Sequence, residues 1–287
     1  MNVEDRRASR PFAACGVLSL VLLLATGSAQ GAIPQAERNV LLALYTSTNG
    51  ESWTDHSGWG GASGTECSWY GIECIGEHVT GIYLDQNNLV GNLPALDGLT
   101  ELESFYAYNN QLSGEIPELS GISSLRFFQV GSNQLSGSLP SLSGLENLEI
   151  FDVQINQLGG TIPPFADLPA LRGFGASGNQ LVGSLPSLDA LGNIESFYVD
   201  YNELTGFVPS LANLAHLKRL RINDNQLRGD MPSVPHPETL IAGDSKLCRN
   251  YLTPVADANW DAATGESPWY QDCVPLPDQI YVNGFEP

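Results

Sequence analysis

The sequence has few basic residues. Twelve Lys and Arg stand against 32 Asp and Glu, which gives the 287-residue chain a formal net charge of −20. Nucleic acids and anionic membrane surfaces bind proteins through basic patches, so this composition argues against both as partners. Charged residues of either sign make up only 15% of the chain, whereas hydrophobic residues make up 42%. That apolar content is enough for a large core in one or two domains.

Long apolar runs are scarce as well. The run near the N-terminus, residues 17–25, is about half the ~20 residues that a membrane span needs. It follows Arg6, Arg7 and Arg10, and small residues lead from it to Ala29. This pattern predicts a signal peptide over residues 1–29, with a membrane anchor as the alternative. We therefore expect an exported protein without a transmembrane anchor, located outside the cell or on the cell surface.

Cysteine is limited to five residues, one of which lies in the predicted signal peptide. The other four fall into two pairs, Cys67 with Cys74 and Cys248 with Cys273. An even number of cysteines in an exported chain predicts disulfides. A zinc site from Cys67, Cys74 and His78 is the alternative, but a tetrahedral site needs a fourth ligand and none is at hand.

Catalytic motifs are missing too. The chain contains no H-E-x-x-H, G-x-S-x-G, P-loop or C-x-x-C motif, and its four histidines are scattered. Acidic pairs such as Glu149 and Asp152 lie three residues apart on a predicted strand. They should point to opposite faces, unlike the paired carboxylates of a glycosidase. We predict no catalytic residue, no metal site and no cofactor, and hence a protein that is not an enzyme.

What the sequence does contain is a repeat of 23 residues. From Leu148 to Pro163 it has the pattern L-x-x-F-x-V-x-x-N-x-L-x-G-x-I-P. Seven copies keep this phase, which is the pattern of a leucine-rich repeat. Each copy is marked by one asparagine: Asn87, Asn110, Asn133, Asn156, Asn179, Asn202 and Asn225.

The physics of the pattern predicts the fold. Apolar residues with period two form a short strand, and successive copies pair as a parallel sheet. A buried asparagine needs hydrogen-bond partners, so the seven should form a ladder with turn backbone. The glycine permits a tight turn, and the proline after it blocks an α-helix. We predict an α/β leucine-rich-repeat solenoid: a right-handed curved coil with its parallel sheet on the concave face and an extended or 3₁₀ convex side.

The pattern after each asparagine, L-x-G-x-(I/L/V)-P, resembles the plant-type leucine-rich repeat of receptor-kinase ectodomains and polygalacturonase-inhibiting proteins. The resemblance covers roughly residues 35–273. The C-S-W-Y-G-I-E-C segment from Cys67 to Cys74, with Trp53 and Trp59, resembles that family's N-terminal cap, and the segment from Leu240 to Cys273 its C-terminal disulfide cap. The period is one residue shorter than is usual for the plant type. The last residues, which include Gly-Phe-Glu, resemble tails of some secreted bacterial proteins.

These patterns divide the chain into five parts. An N-terminal cap should contain a short amphipathic helix that begins at Pro34, with Val40, Leu41, Leu44 and Tyr45 on one face. The predicted parts are a signal peptide at 1–29, the N-terminal cap at 30–78, seven repeats at 79–239, the C-terminal cap at 240–273 and a tail at 274–287.

Binding is expected on the concave sheet. Counting the first apolar residue of each repeat as position one, the side chains at positions three, five, seven and eight should point outward. The predicted ligand-binding residues are Tyr83, Tyr106, Tyr108, Phe127, Gln129, Asp152, Gln154, Tyr198, Asp200, Tyr201, Arg219 and Arg221.

Three features stand out among these positions. An aromatic patch occupies the early repeats, where either an interface or ordinary cross-strand packing would explain it. The fifth repeat is nearly bare, with Gly173, Gly175 and Ser177, and is either a hollow for a protruding ligand group or a neutral gap. Arg219 and Arg221, with Lys218 beside them, either bind an anionic ligand group or balance Asp200 and Asp224 within the chain.

The leading prediction is a secreted, monomeric module that binds an extracellular protein, peptide or polysaccharide through its concave face. The alternative is a structural or adhesive cell-surface component that uses the solenoid as a rigid spacer. An ice-binding solenoid would need a flat array of identical Thr or Ser columns, and the outward columns of the concave sheet are too mixed for that.

Overall fold

The computed structural model describes residues 32–234, 236–271 and 273. The predicted signal peptide, residues 1–29, and the predicted tail, residues 274–287, lie outside the described residues. Within them, the chain is a leucine-rich-repeat solenoid with a long, mostly parallel sheet, few helices and a disulfide at each end. The predicted fold class is thereby confirmed.

The solenoid begins with the predicted amphipathic helix. Helix α1 spans Gln35–Ser47, directly after Pro34, and its Leu41 and Leu44 are fully buried. The buried carboxylate of Glu37 accepts a hydrogen bond from the Val79 N–H at 2.8 Å, which ties the helix to the first strand of the repeats. Short 3₁₀ segments follow at Gly50–Ser52 and Glu66–Ser68. The helix therefore covers the open end of the first coil, where apolar residues would otherwise face water.

The long sheet collects one strand from each repeat. All its pairings are parallel except the first, between Ile72–Ile75 and His78–Tyr83, which is antiparallel. Each parallel strand pairs in the same register with the equivalent residues of the next repeat. In spatial order the eight strands are Ile72–Ile75, His78–Tyr83, Ser104–Tyr106, Phe127–Gln129, Ile150–Asp152, Gly173–Gly175, Ser196–Tyr198 and Arg219–Arg221.

Three short parallel sheets, called here the flank sheets, lie where the chain passes from the asparagine to the glycine of each repeat. Glycines at this turn, such as Gly160, adopt the left-handed conformation that the pattern predicted. The flank strands are Val90–Asn92, Gln111–Gly114 and Gln134–Leu135 in one sheet, Val182–Ser184 with Glu203–Thr205 in the second, and Arg228–Gly229 with Tyr251–Leu252 in the third.

The convex side consists of successive tight turns rather than helices. In the first repeat the Leu99 N–H bonds the Leu96 carbonyl at 2.9 Å, and the Leu102 N–H bonds the Leu99 carbonyl at 3.0 Å. These are the i to i+3 bonds of a 3₁₀ turn. Inside the coil a column of buried phenylalanines stacks with centroid spacings of 5.4 to 5.8 Å: Phe105, Phe128, Phe151, Phe174 and Phe197.

The predicted asparagine ladder is present. The Asn202 Nδ2 donates to the Ala176 carbonyl of the preceding coil at 3.0 Å and to the Val199 carbonyl of its own turn at 3.1 Å. Its Oδ1 accepts from the Leu181 N–H at 2.9 Å. The ladder also has a rung that the sequence analysis missed. Asn250 repeats these contacts in the C-terminal cap and donates to the Ile222 carbonyl at 2.9 Å.

Both caps carry the predicted disulfides, Cys67–Cys74 and Cys248–Cys273. The first bond uses two of the three ligands considered for a zinc site, which removes that alternative. In the C-terminal cap a 3₁₀ segment spans Pro237–Thr239 and helix α2 spans Ala258–Thr264. Helix α2 is capped by the side chain of Asp257, its own Trp260 is buried, and Trp269, which is also buried, donates its backbone N–H to Asp261 of the helix.

Candidate functional site

Two rows of side chains run across the long sheet, at positions five and seven of the repeats. Strand register places the members of row five side by side in the order Tyr83, Tyr106, Gln129, Asp152, Gly175, Tyr198 and Arg221. From Tyr108 onward, the backbone carbonyl of each row-seven residue accepts a hydrogen bond from the backbone N–H of the position-eight residue in the preceding repeat. The members of row seven are Asp85, Tyr108, Gly131, Gln154, Ser177, Asp200 and Asn223.

The aromatic patch, defined as Tyr83, Tyr106, Tyr108 and Phe127, lies at the start of these rows. The ring centroids of Tyr83 and Tyr106 are 5.3 Å apart, and those of Tyr106 and Phe127 are 6.4 Å apart. The Tyr83 hydroxyl donates to Glu73 Oε2 at 2.7 Å. Burial raises the pKa of Tyr106 to about 12. Three rings of the patch, those of Tyr83, Tyr106 and Phe127, therefore form a preassembled stack.

Although these rings pack against one another, part of their surface remains exposed to solvent. Tyr83 is 39% exposed, and the other three side chains are half-buried. The Arg126 guanidinium lies 5.2 Å from the centroid of the Phe127 ring, which holds that ring from one side. The cross-strand packing that sequence analysis offered as an alternative is thus present, together with ring surface that remains open to a ligand.

The centre of the two rows is polar and buried. Gln129, Asp152, Gln154 and Asp200 are each at most 6% exposed. The Gln154 Nε2 and the Gln154 backbone N–H both donate to Asp152 Oδ1 at 3.0 Å. Gly173, Gly175 and Ser177, for which a hollow or a neutral gap was expected, are also buried. Neighbouring side chains therefore cover this part of the sheet from water.

Asp200 is a buried acid of row seven whose pKa is raised. Burial raises its pKa from 3.8 to about 6, although a hydrogen bond from the Ser177 hydroxyl and the charge of Arg221 both favour the carboxylate. The free-energy cost of removing the carboxylate from water exceeds the stabilisation that Ser177 and Arg221 give to its charged form. Asp200 therefore changes its charge close to neutral pH.

The basic end of the sheet is neutralised within the chain. The Arg219 Nε donates to Asp244 Oδ2 at 2.8 Å, and Lys218 Nζ donates to Glu195 Oε2 at 2.5 Å. The Arg221 guanidinium lies 5.0 Å from the centroid of the Tyr198 ring. The intramolecular balance that sequence analysis offered as an alternative is present. Its ion pairs are with Glu195 and Asp244, and of the two acids predicted, Asp200 feels the charge of Arg221.

Position two of the repeats carries a row of alternating charge that the sequence analysis did not identify. Arg126 pairs with Glu149 and Glu103, and Arg172 pairs with Glu195. These pairs join residues 23 positions apart, so only an alignment in the repeat phase would have found them. In order the row is Glu103, Arg126, Glu149, Arg172, Glu195 and Lys218. The ion pairs of this row occupy the basic side chains of Arg126, Arg172 and Lys218, which would otherwise be available to an anionic ligand.

The residue after row seven has a left-handed backbone in every repeat, with φ between 53° and 66°. Most of these residues tolerate that conformation, but Ile155, with φ of 55°, is β-branched. Tyr201, which was a predicted binding residue, lies at the same position two repeats later and is half-buried. The coil geometry sets this conformation, since the side chains themselves have no common preference for it.

Two further observations concern the described residues alone. No group of three or more His, Cys, Asp or Glu side chains among them is arranged to hold a metal ion. In the same part of the chain, no helix combines the length and apolar character that a membrane crossing requires.

No family model matches the chain, and no curated protein matches it either. Solved structures of plant receptors, in contrast, are similar to the chain. The plant peptide hormone receptor RGFR1 in complex with RGF2 is 28% identical over 64% of this chain, with a TM-score of 0.56. The ectodomain of the receptor kinase GASSHO1/SCHENGEN3 from Arabidopsis thaliana, in complex with CASPARIAN STRIP INTEGRITY FACTOR 2, is 25% identical over 79%, with a TM-score of 0.61.

The chain spans about a third of those two receptor ectodomains, 30% and 31% of their lengths. A plant ice-binding protein is more similar in size: it is 26% identical over 77% of this chain and 72% of its own, with a TM-score of 0.59. The chain thus shares its repeat fold with extracellular plant receptor ectodomains and with an ice-binding protein.

Proposed function

We propose that this protein is an extracellular recognition module that binds a peptide or a protein segment along the concave face of the long sheet, without catalysis. The observation that carries the proposal is the aromatic patch, three of whose four rings are stacked by the register of the strands and keep exposed surface. Aromatic side chains that are already ordered bring large contact area at a small loss of conformational entropy.

The similar receptors support this proposal in a general way. One is a plant peptide hormone receptor in complex with RGF2, and the other is a receptor-kinase ectodomain in complex with CASPARIAN STRIP INTEGRITY FACTOR 2. The two disulfides are typical of proteins that work outside the cytoplasm, which supports export and agrees with the predicted signal peptide.

A binding screen tests the proposal. The purified protein, with both disulfides formed, is applied to arrays of extracellular proteins, peptides and glycans beside the Tyr106→Ala/Tyr108→Ala variant. Phe207→Ala is the matched control, because Phe207 is an aromatic residue outside the long sheet, bridged to Arg228, and is 63% exposed. We expect a saturable peptide or protein ligand whose affinity falls about tenfold or more in the double variant only, which is ~1.4 kcal/mol.

Other outcomes separate the alternatives. Binding to glycans alone would replace a peptide ligand with a polysaccharide. If no ligand is found and the protein remains attached to the cells that produce it, the structural or adhesive function becomes the better account. Equal loss of folding and of binding in the double variant would remove the aromatic patch from the site.

A second candidate function, ice binding, is favoured by one observation on the flank sheets. The row of residues at or just before the start of the flank strands consists almost entirely of amide side chains, all exposed: Asn88, Gln111, Gln134, Gln157, Gln180, Glu203 and Gln226. Parallel strands repeat every ~4.8 Å, so the row is regular and extends over the length of the solenoid. The mixed columns that argued against ice binding belong to the concave sheet, not to this surface.

Inhibition of ice recrystallisation tests this candidate. Ser136→Tyr would place a bulky ring on the flank surface and should abolish inhibition, whereas Tyr106→Ala on the concave face should not. A wild-type protein that leaves ice growth unchanged at micromolar concentration would eliminate the candidate.

A further inference from the structure

The three stacked rings of the aromatic patch form a column whose two ends are covered differently. Tyr106 is the middle ring, and its centroid lies 5.3 Å from that of Tyr83 and 6.4 Å from that of Phe127. The Arg126 guanidinium lies over the Phe127 ring, 5.2 Å from its centroid. The Phe127 end of the column therefore already holds a cation, which belongs to the chain itself.

Carboxylates complete the environment of that cation. The Arg126 Nε donates to Glu149 Oε1 at 2.9 Å, and its Nη1 donates to Glu103 Oε2 at 3.4 Å. A ring face and carboxylate oxygens both attract positive charge, and together they hold it in one place. The contact shows how this surface accommodates a cation when one is present.

The Tyr83 end of the column has no such cover. The residue beside Tyr83 on this side is Gly71, whose carbonyl accepts the Tyr83 N–H at 2.7 Å and which has no side chain to lie against the ring. In the described part of the chain, Tyr106 is the one ring stacked on Tyr83, and no basic group lies over it. Tyr83 is 39% exposed, and neither a ring nor a base covers its face turned away from Tyr106.

A carboxylate without a basic partner lies at this open end. Glu73 is exposed, and its Oε2 accepts a hydrogen bond from the Tyr83 hydroxyl at 2.7 Å. Ser104 also hydrogen-bonds to that hydroxyl, so the ring is held in place from two sides. Partial burial, followed by the contact with Glu73, raises the pKa of Tyr83, so the phenol stays neutral. Among the described residues, Glu73 forms no ion pair and its Oε1 has no hydrogen-bond partner, which leaves an acceptor for a ligand.

Charge complementarity identifies the ligand group. Four acids lie around the aromatic patch, and the base that contacts it is Arg126. The four acids are Glu73, Asp85, Glu103 and Glu149. An anionic ligand group would be repelled by them, and an apolar group would take Glu73 out of water without giving it a partner. A cation is attracted by the ring and by the carboxylates, and the net charge of −20 adds a long-range attraction.

We propose that the open face of Tyr83 and the carboxylate of Glu73 bind the ammonium or guanidinium group of a peptide ligand, from a Lys or Arg side chain or from a free N-terminus. This inference rests on the proposed function, because it names the ligand chemistry recognised by that same face. The ligand cation lies on the Tyr83 ring as Arg126 lies on Phe127, and the Glu73 Oε1 accepts its hydrogen bond.

Selection from a synthetic random library of short peptides tests the inference. The library is made with free and with acetylated N-termini and is applied to four purified proteins: wild type, Glu73→Gln, Tyr83→Leu and Asp97→Asn. Glu73→Gln removes the charge but keeps an oxygen acceptor for the Tyr83 hydroxyl, whereas Tyr83→Leu removes the ring. Asp97→Asn is the matched control, because Asp97 is an exposed acid beside the convex turn of the same repeat. Melting temperatures establish that each variant is folded, and Glu73→Gln alone is sufficient for the test, since Glu73 is exposed.

We expect wild type and Asp97→Asn to enrich peptides with a cation at one fixed position about fivefold or more, and Glu73→Gln and Tyr83→Leu to lose that preference. Enrichment from the free library alone would identify the N-terminal amine as the source of the cation. Binders without a fixed cation, or a preference that persists in Glu73→Gln or in a folded Tyr83→Leu variant, would overturn the inference while leaving the proposed function intact. Failure to enrich any peptide would reject both.

Discussion

The asparagine ladder gives the sharpest prediction about what holds the solenoid together. Asn202→Ala removes the hydrogen bonds that the amide makes to the Ala176 carbonyl and to the Leu181 N–H of the preceding coil. The Leu181 N–H is left without a partner, whereas the Ala176 carbonyl keeps its bond from the Asn179 Nδ2 at 3.1 Å. Asn202 is 9% exposed, so water does not readily replace the lost bonds. One orphaned buried group costs ~1–3 kcal/mol, and the variant should lower the free energy of unfolding by about that amount.

Urea unfolding measures this loss. Far-UV circular dichroism reports on the repeats, whereas fluorescence reports on the caps, because the five tryptophans of the chain all lie outside the seven repeats. Asn193→Ala is the matched control, since Asn193 is exposed and its side chain donates one bond, to the Pro169 carbonyl at 2.8 Å. The control should cost less than about 0.5 kcal/mol. Equal costs in the two variants would refute a stabilising role for the ladder.

Three further predictions concern single side chains. The folded-state pKa of Asp200, about 6, lies above the ordinary Asp value of 3.8, so the stabilisation from its protonated form is present below pH ~4 and is lost as pH rises through 6. Asp200→Asn should therefore raise the free energy of unfolding near pH 7.5 by up to ~3 kcal/mol. The control Asp97→Asn, at an exposed residue, should not. Ile155→Asn should raise the unfolding free energy by about 0.5–1 kcal/mol by relieving the left-handed backbone, and a decrease would show that apolar packing dominates. The hydrogen bond with Glu37 raises the pKa of His78, so Glu37→Gln should lower the pKa seen in an NMR titration, and an unchanged value would contradict the contact.

Sequence reasoning predicted the features that recur in every repeat. The phase of the asparagines, the glycine turns and the proline positions are imposed by each coil on its own residues, so a single sequence displays them. The disulfides followed from cysteine number and position. Asn250 was missed because it lies 25 residues after Asn225 and so breaks the period, although its own Leu247-Cys248-Arg249-Asn250 segment fits the repeat pattern.

The burial of the side chains in rows five and seven could not be predicted in the same way. Asp152 and Asp200 occupy outward positions, yet they are 1% and 3% exposed. Their burial depends on the sizes of side chains in the adjacent coils, which a rule for one strand does not include. The same limit applies to Arg219, whose partner Asp244 belongs to the C-terminal cap rather than to the repeat where partners were sought.

The central claim is that the concave face binds a ligand through the aromatic patch. Its most direct test is a calorimetric titration of a selected peptide into wild type and into Tyr106→Ala/Tyr108→Ala, with the melting temperature of each protein measured beside it. We predict a Kd that rises about tenfold or more in the variant, with the melting temperature nearly unchanged. An unchanged Kd in a folded variant would contradict the account, because the ligand would then bind elsewhere on the solenoid.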